Sequence, residues 1–392
     1  MTIGKIIVFT TNFLVFLILS EKLGVEVMGK YHYLMAGFTL LVVVANFGIS
    51  ENITKMHMEN AVYPKLYTYI IGFRLFLSIM LAIVGYFTLI SSNLFFCLAI
   101  VLSSFSLGVQ NHESKGGGRE VFKVNMLTVS LGTLMKLYCA YISPDLETLS
   151  VIFLVETAVY NLVLFISGLN NIKQSNYEIG KTGIKDVVLN KKFIFVWISG
   201  VLGTVSSKFD IYIIGFFSSS LDLGYYTYSV KIVSFGVLLP SLIVSSLMAY
   251  FVNLESDGRI RIYSMFFWVC SGLSLLIIIS NVIIVNTYLT DYKDTIFLVS
   301  LLSLRVPFLI LRVLTGKFLI CSNRTKFIFY RAILSFFVSV ISLLLGYYLA
   351  GIKGVCFAAL FTSIFSGVIL DFMFNDTKDI FKEKMLAIKL MR

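Results

Sequence analysis

Arg305 and Arg312 lie seven residues apart in an otherwise apolar stretch, so a helix carries both on one face, with Gly316 a turn further along it. A guanidinium is a planar fork of N–H donors that grips two phosphate oxygens at once. Pro307 sits between the two arginines and kinks or locally opens the helix that bears them. Such a pair is suited to clamping an anionic, phosphate-bearing ligand. Arg74 and Lys208 are likewise set in apolar surroundings with no acid evident at matching depth. Arg74, Lys208, Arg305 and Arg312 are therefore the candidate substrate-binding residues. Other charges offer pairing partners. Lys136 and Glu156 fall at similar depth on one hairpin, Asp210 and Lys231 on another, and Arg331 and Asp371 near the ends of a third. A structural ion bridge satisfies each pair, because an unpaired buried charge is costly.

The elements that hold these residues are membrane spans. Of 392 residues, 58% are hydrophobic and 14% charged, against about 45–50% and about 25% in soluble domains. A helix needs about 20 apolar residues to cross the hydrocarbon core. On that measure twelve spans are predicted, at 4–20, 33–50, 67–90, 94–110, 122–142, 147–168, 193–216, 223–250, 262–286, 295–319, 327–349 and 354–374. Between Arg74 and Glu113 no charged residue occurs, and Ser91-Ser92-Asn93 is the turn that divides the stretch into two helices. The first span lacks a signal-peptide cleavage site and is followed directly by Glu21 and Lys22, so it is read as an uncleaved helix.

The net charge of +11 is not a nucleic-acid signal here, since cytoplasmic loops of membrane proteins concentrate Lys and Arg. With the N-terminus cytoplasmic, that side holds 21 basic residues and the opposite side four: Lys22, Lys30, Lys293 and Lys353. The asymmetry places both termini in the cytoplasm. Seven basic residues remain within the spans, against the acids Glu156, Asp210 and Asp371. Each costs about 2.5–3.5 kcal/mol at mid-membrane, so they are expected to face protein or a water-filled cavity and not lipid.

The organisation expected is a six-helix lobe over 1–168, a cytoplasmic loop over 169–192, a second six-helix lobe over 193–374 and a basic tail over 375–392. A weak internal echo agrees: Met28-Gly29-Lys30-Tyr31 precedes the second span and Leu223-Gly224-Tyr225-Tyr226 the eighth. Six helices per repeat gives two halves of like orientation. The tail alternates lysines with Phe381, Met385 and Ile388 at helical spacing, which suits either a helix on the inner leaflet or a solvated tail.

Several chemistries find no support. His32, His57 and His112 are isolated, and Cys97, Cys139, Cys270, Cys321 and Cys356 show no C-x-x-C spacing, so neither a metal site nor a disulfide framework is expected. The run Ser114–Arg119 is glycine-rich but follows no strand and is not a phosphate-binding loop. External loops are short and carry no paired carboxylates, which argues against an enzyme.

The stretch Lys208-Phe209-Asp210 to Ser218, then Asp222-Leu223-Gly224-Tyr225-Tyr226 to Lys231 and Pro240, resembles the helix 7–8 junction of polysaccharide biosynthesis proteins. Gly29-Lys30-Tyr31 leading to Asn46-Phe47-Gly48-Ile49 resembles their first helical pair. These are the Wzx-type O-antigen and capsule repeat-unit flippases of the multidrug/oligosaccharidyl-lipid/polysaccharide exporter superfamily. The resemblance extends over the whole chain in length, helix number and two-lobed division, though its motifs are diffuse. It implies an all-α integral membrane fold of about 12 transmembrane helices, in two six-helix lobes forming a V-shaped cationic cavity. It implies a bacterial inner-membrane protein that moves undecaprenyl-pyrophosphate-linked oligosaccharide to the periplasmic leaflet, driven by a proton or sodium gradient. Membrane lipids surround it, with a polysaccharide polymerase and a chain-length regulator as downstream partners. On this view Asp210 and Glu156 are coupling-ion candidates, because a buried acid near a cation changes charge as it binds a proton or ion. They serve equally as counter-ions to Lys231 and Lys136. A drug or cation antiporter of the same superfamily is the nearest alternative, disfavoured by the cationic excess; a polymerase is more remote.

Overall fold

The computed structural model describes residues 2–49, 64–88, 90, 93–114, 117–173, 191–246, 256–322 and 324–389. Most of the predicted 169–192 loop lies outside these residues. So do Ser91 and Ser92 of the predicted turn, Lys115 and Gly116 of the glycine-rich run, and Arg392 of the tail.

Nine helical stretches among the described residues are long and apolar enough to cross a membrane. Two of them, Ile7–Asn46 and Phe327–Phe372, are double. In the first, Gly24 adopts φ 76° and ψ 173°, a conformation only glycine reaches easily. The chain turns back there, so that the rings of Phe16 and His32 meet at 5.7 Å. Residues 2–23 are α1 and 25–46 are α2. In the second, Ala350 and Gly351 (φ 55°) break the helix, separating α11 (325–349) from α12 (352–372). The turn is so tight that a Cβ on Gly346 would lie 2.5 Å from the Gly354 carbonyl oxygen.

The remaining spans are α3 (Pro64–Phe87), α4 (94–114), α5 (Gly118–Ile142), α6 (Leu146–Lys173), α7 (Lys191–Phe217), α8 (Ser220–Ser246), α9 (Ser256–Thr287) and α10 (295–321). α5 is too polar to be counted among the nine stretches, yet it is long enough to span. With it the twelve predicted helices are complete. A short thirteenth helix, α13, covers Lys378–Lys389.

Contacts gather the chain into two compact units, residues 1–23 with 30–204, and residues 24–29 with 205–392. Aromatic packing fills each. In the first, Phe153 of α6 lies 4.8 Å from both Phe38 of α2 and Phe96 of α4. Trp197, at the start of α7, donates to the Val43 carbonyl at 3.1 Å and packs on Phe47, which holds the early part of α7 in this unit. In the second, Tyr228 and Tyr292 meet at 4.6 Å, and Tyr228 donates to Asn281 at 3.2 Å. Gly29 clusters here with Gly224: a Cβ on Gly29 would come within 2.6 Å of the Gly224 nitrogen, so the two glycines of the sequence echo abut.

Both units contain a broken helix. α4 runs from Leu94 to Ser103, passes through a 3-10 turn at Ser104–Ser106 and resumes at Leu107. α10 runs from Thr295 to Ser303, breaks at Leu304 and Arg305 and resumes at Val306. Pro307 explains the second break, for it has no N–H to offer the Ser303 carbonyl and its ring crowds that oxygen. A carbonyl freed inside a membrane must find another donor. Ser274 of α9 supplies one, its Oγ lying 2.8 Å from the Ser303 oxygen. At the break in α4, Arg74 of α3 reaches toward the Ser103 carbonyl at 3.5 Å and donates to Ser106 Oγ at 3.1 Å. The pairs 74/274 and 103/303 are each offset by 200 residues, and Leu precedes Ser at both breaks. The repeat is thus physical: each unit breaks its fourth helix and satisfies the break from its third.

Removing the donor at the second break tests this. Ser274→Ala should destabilise the purified protein by about 1–3 kcal/mol in an unfolding titration, as a buried acceptor loses its partner. Adding Pro307→Ala should recover most of the loss by restoring an N–H to the Ser303 carbonyl. No recovery in the double variant would show that Ser274 does not serve this role.

Candidate functional site

Lys208 and Asp210 are two residues apart on α7 and so point to nearly opposite sides of it. Asp210 is buried, 6% exposed, and turned into the second unit. Its Oδ2 accepts from Tyr226 Oη at 2.5 Å, and its Oδ1 accepts from the Ile211 amide at 2.9 Å. Tyr226 is fully buried on α8. The Asp210–Lys231 bridge expected from depth is not the bond that Asp210 makes. Tyr226 and Lys231 are five residues apart, about 140° around α8, so Lys231 is turned aside and its ammonium lies 6.0 Å from the Phe235 ring. Depth was matched, but helical phase was not.

Arg305 lies at the break in α10, half-buried, and its Nε donates to Ser363 Oγ of α12 at 3.0 Å. Arg305 and Asp210 are both within Coulombic reach of Tyr226, as is the buried Cys356. The four side chains join α7, α8, α10 and α12 in one polar region of the second unit. Arg312, two turns along α10, is exposed and close enough to Arg305 for the two charges to repel. Among the described residues Arg312 has no acidic partner. Lys208 is half-buried. Although Asp210 shares the region of Arg305, the two arginines form a basic face in mid-span, at which Arg312 is matched by no carboxylate of the described residues. A phosphate or pyrophosphate group brought to it would relieve the repulsion and supply acceptors for both forks.

The other candidates sit elsewhere. Arg74 is 1% exposed and is engaged with the break in α4, so it presents no surface to a substrate. Lys136 of α5 donates to both oxygens of Glu156 of α6, at 2.6 and 2.8 Å. Gly132 leaves the space that this carboxylate occupies, since a Cβ there would overlap Glu156. Also in the second unit, and within Coulombic reach of Arg312, Arg331 and Asp371 form an ion pair, and Arg331 also donates to the Ser366 carbonyl at 3.1 Å. Lys384 of α13 completes that cluster, 2.5 Å from Asp371 Oδ2 and 2.5 Å from the Gly367 carbonyl oxygen.

Sequence reasoning missed Ser363 and Lys384 as supporting residues, and it named Tyr226 only in the repeat and the resemblance, not as the partner of Asp210. Nothing in the local sequence marks Ser363 or matches Tyr226 with Asp210. Lys384 had a signal, because Ile380, Glu383, Lys384 and Ala387 form a stripe at i, i+3, i+4 and i+7 beside the more conspicuous apolar one. No group of three His, Cys, Asp or Glu side chains able to hold a metal comes together among the described residues.

No protein-family model and no curated protein matches the sequence. Solved structures match along its whole length. The lipid II flippase MurJ in an inward closed conformation is 17% identical, covers 99% of this chain and 90% of its own, and superposes with a TM-score of 0.69. An outward-facing multidrug-resistance MATE transporter of the MOP superfamily is 12% identical over 98% of this chain and 94% of that one, with a TM-score of 0.67. An inward-facing form is 12% identical over 98% and 96%, with a TM-score of 0.62. At these identities the likeness is one of fold. The proteins sharing it are transporters and flippases.

Proposed function

We propose that this multi-pass membrane protein, built on the fold shared by MurJ and MATE transporters, is a lipid-linked oligosaccharide flippase. Its cargo would be an undecaprenyl-pyrophosphate-linked repeat unit for O-antigen or another surface polysaccharide, carried from the cytoplasmic to the periplasmic leaflet of the bacterial inner membrane. The observation that carries this reading is the basic face of Arg305 and Arg312, in which Arg312 has no acidic partner among the described residues. A mid-span arginine facing lipid costs about 2.5–3.5 kcal/mol or more, so an exposed one on a stable helix argues for a water-accessible path that an anion enters. Lys208, turned to the side of α7 opposite Asp210, is the third cationic residue that this reading assigns to the cargo. The pyrophosphate is held by the basic face, while the sugars and the polyprenyl chain are recognised by other surfaces. Alternating access then moves the headgroup across, with both termini cytoplasmic as the distribution of basic residues demands. A polymerase and a chain-length regulator would receive the product.

Energy for the cycle comes from a proton or sodium gradient, and Asp210 is the acid best placed to couple it. Glu156 is held by Lys136, and Asp371 by Arg331 and Lys384. Asp210 has an uncharged donor, Tyr226, in its place, so a change in its charge breaks no ion pair. The same comparison weighs against a drug antiporter. An organic cation needs a free carboxylate, and two of the three intramembrane acids are already matched to basic side chains.

Two measurements test the proposal. Purified Arg305→Ala/Arg312→Ala protein should bind undecaprenyl pyrophosphate at least about tenfold more weakly than wild type, the loss of one charge-assisted contact being worth about 1.5–3 kcal/mol. Unchanged affinity would remove the clamp. Asp210→Asn, reconstituted in vesicles, should transport at the same low rate with the gradient intact or collapsed. A rate that still rises with the gradient would remove Asp210 from coupling.

A further inference from the structure

Around the axis of α13, at about 100° per residue, an anchored face, an apolar strip and a lysine ridge follow one another, and exposed Leu386 and Asp379 lie between the ridge and the anchored face. Ile380, Glu383, Lys384 and Ala387 are buried against the second unit. Glu383 accepts from Arg259 of α9 through Nε at 3.0 Å and Nη2 at 2.5 Å, and from Ser256 Oγ at 3.0 Å. Lys384 is inserted beside Asp371 over the Tyr263 ring at 5.6 Å. Arg324 fixes the start of the helix through the Asp376 carbonyl at 2.5 Å and Asp379 at 3.3 Å. Opposite polar anchors on one short face leave the helix a single way to lie.

The side next to the anchored face carries Phe381, Met385 and Ile388. Phe381 packs on Phe372 at 5.3 Å, and Phe372, Met373 and Met385 are all exposed. An apolar strip therefore runs without interruption from the last turn of α12, a membrane span, onto α13. Lys378, Lys382 and Lys389 form an exposed ridge beyond this strip, and the Lys378 ammonium lies 5.9 Å from the Phe372 ring. Apolar strip and lysine ridge side by side at the end of a span match the two layers of a bilayer edge, acyl chains and then headgroups. The ridge is positive throughout, and its complement is a negatively charged headgroup.

We propose that α13 is a lipid-binding element, whose Phe381–Met385–Ile388 side enters the boundary of the acyl region and whose lysine ridge binds the headgroups of anionic phospholipid. The proposal is independent of the transported cargo. It makes anionic lipid a structural ligand at the end of α9, α11 and α12, and it identifies that end as the one facing the anionic leaflet.

The test uses the full chain with Met385→Trp, whose indole would sit in the strip, reconstituted with brominated phosphatidylcholine or brominated phosphatidylglycerol at equal mole fraction. The signal is the emission added over the protein bearing only its own Trp197 and Trp268. Both lipids should quench it, the anionic one more strongly by at least about fivefold, which is what a single lysine worth about 1 kcal/mol would give. Lys378→Gln/Lys382→Gln/Lys389→Gln should abolish that preference and keep the quenching by phosphatidylcholine. An indole that neither lipid quenches would overturn the proposal, whether water or another protein covers the face. Equal quenching by the two lipids would overturn it also, leaving apolar contact without headgroup recognition. Met373→Trp on the same strip must give the same ranking; a reversed one would count against it.

Discussion

Hydrocarbon offers no hydrogen bonds, so every charge and every freed backbone group in a span must be satisfied by the protein or face a water-filled cavity. This single constraint accounts for the arrangement of polar residues in both units. Where helices are regular, the polar side chains are few and bond to their own preceding turn, as Ser271 does to Phe267. Where helices break, a neighbour brings a donor. Ser274 serves the Ser303 carbonyl, and Arg74 reaches toward that of Ser103. In α12 the π-helical turn Phe365–Ile369 is met by Arg331 at the Ser366 carbonyl and by Lys384 at that of Gly367. Several intramembrane charges are thus explained by irregular backbone, without any ligand.

Against that background the residues left over acquire meaning. Among the described residues Arg312 serves no carbonyl and meets no carboxylate, and Arg305 donates only its Nε, to Ser363. Both lie at or beyond a break that Pro307 imposes, where α10 can change its bend at little cost in hydrogen bonds. The basic face and the place of bending coincide. On the proposed function, that coincidence would let the second unit hold an anion while the helix moves.

Much of this was legible in the sequence. Twelve spans followed from the lengths of apolar runs, and Gly29 and Gly224 marked a repeat whose glycines abut in the structure. Depth matching named Lys136 with Glu156 and Arg331 with Asp371, and these side chains do meet. It failed for Asp210, because depth says nothing about which way a side chain points around its helix. Arg74 read as an unpartnered cation, and the carbonyl and hydroxyl it reaches at the break carry no charge for a sequence reading to match. Pro307 marked the break in α10, whereas the break in α4 left one faint sign, the recurrence of Leu-Ser at 102–103 and 302–303. The clamping of α13 depended on Glu383 and Lys384, charged residues that a hydrophobicity pattern assigns to solvent.

The central claim concerns which side of the membrane the cargo waits on when this chain is missing. In a producing strain lacking it, complete lipid-linked repeat units should accumulate on the cytoplasmic leaflet, as read by their inaccessibility to a periplasmic probe that cannot cross the membrane. Wild-type protein should clear them, and the Arg305→Ala/Arg312→Ala variant should not. Repeat units that reach the periplasm and remain unpolymerised would contradict the account, and would make this chain a polymerase.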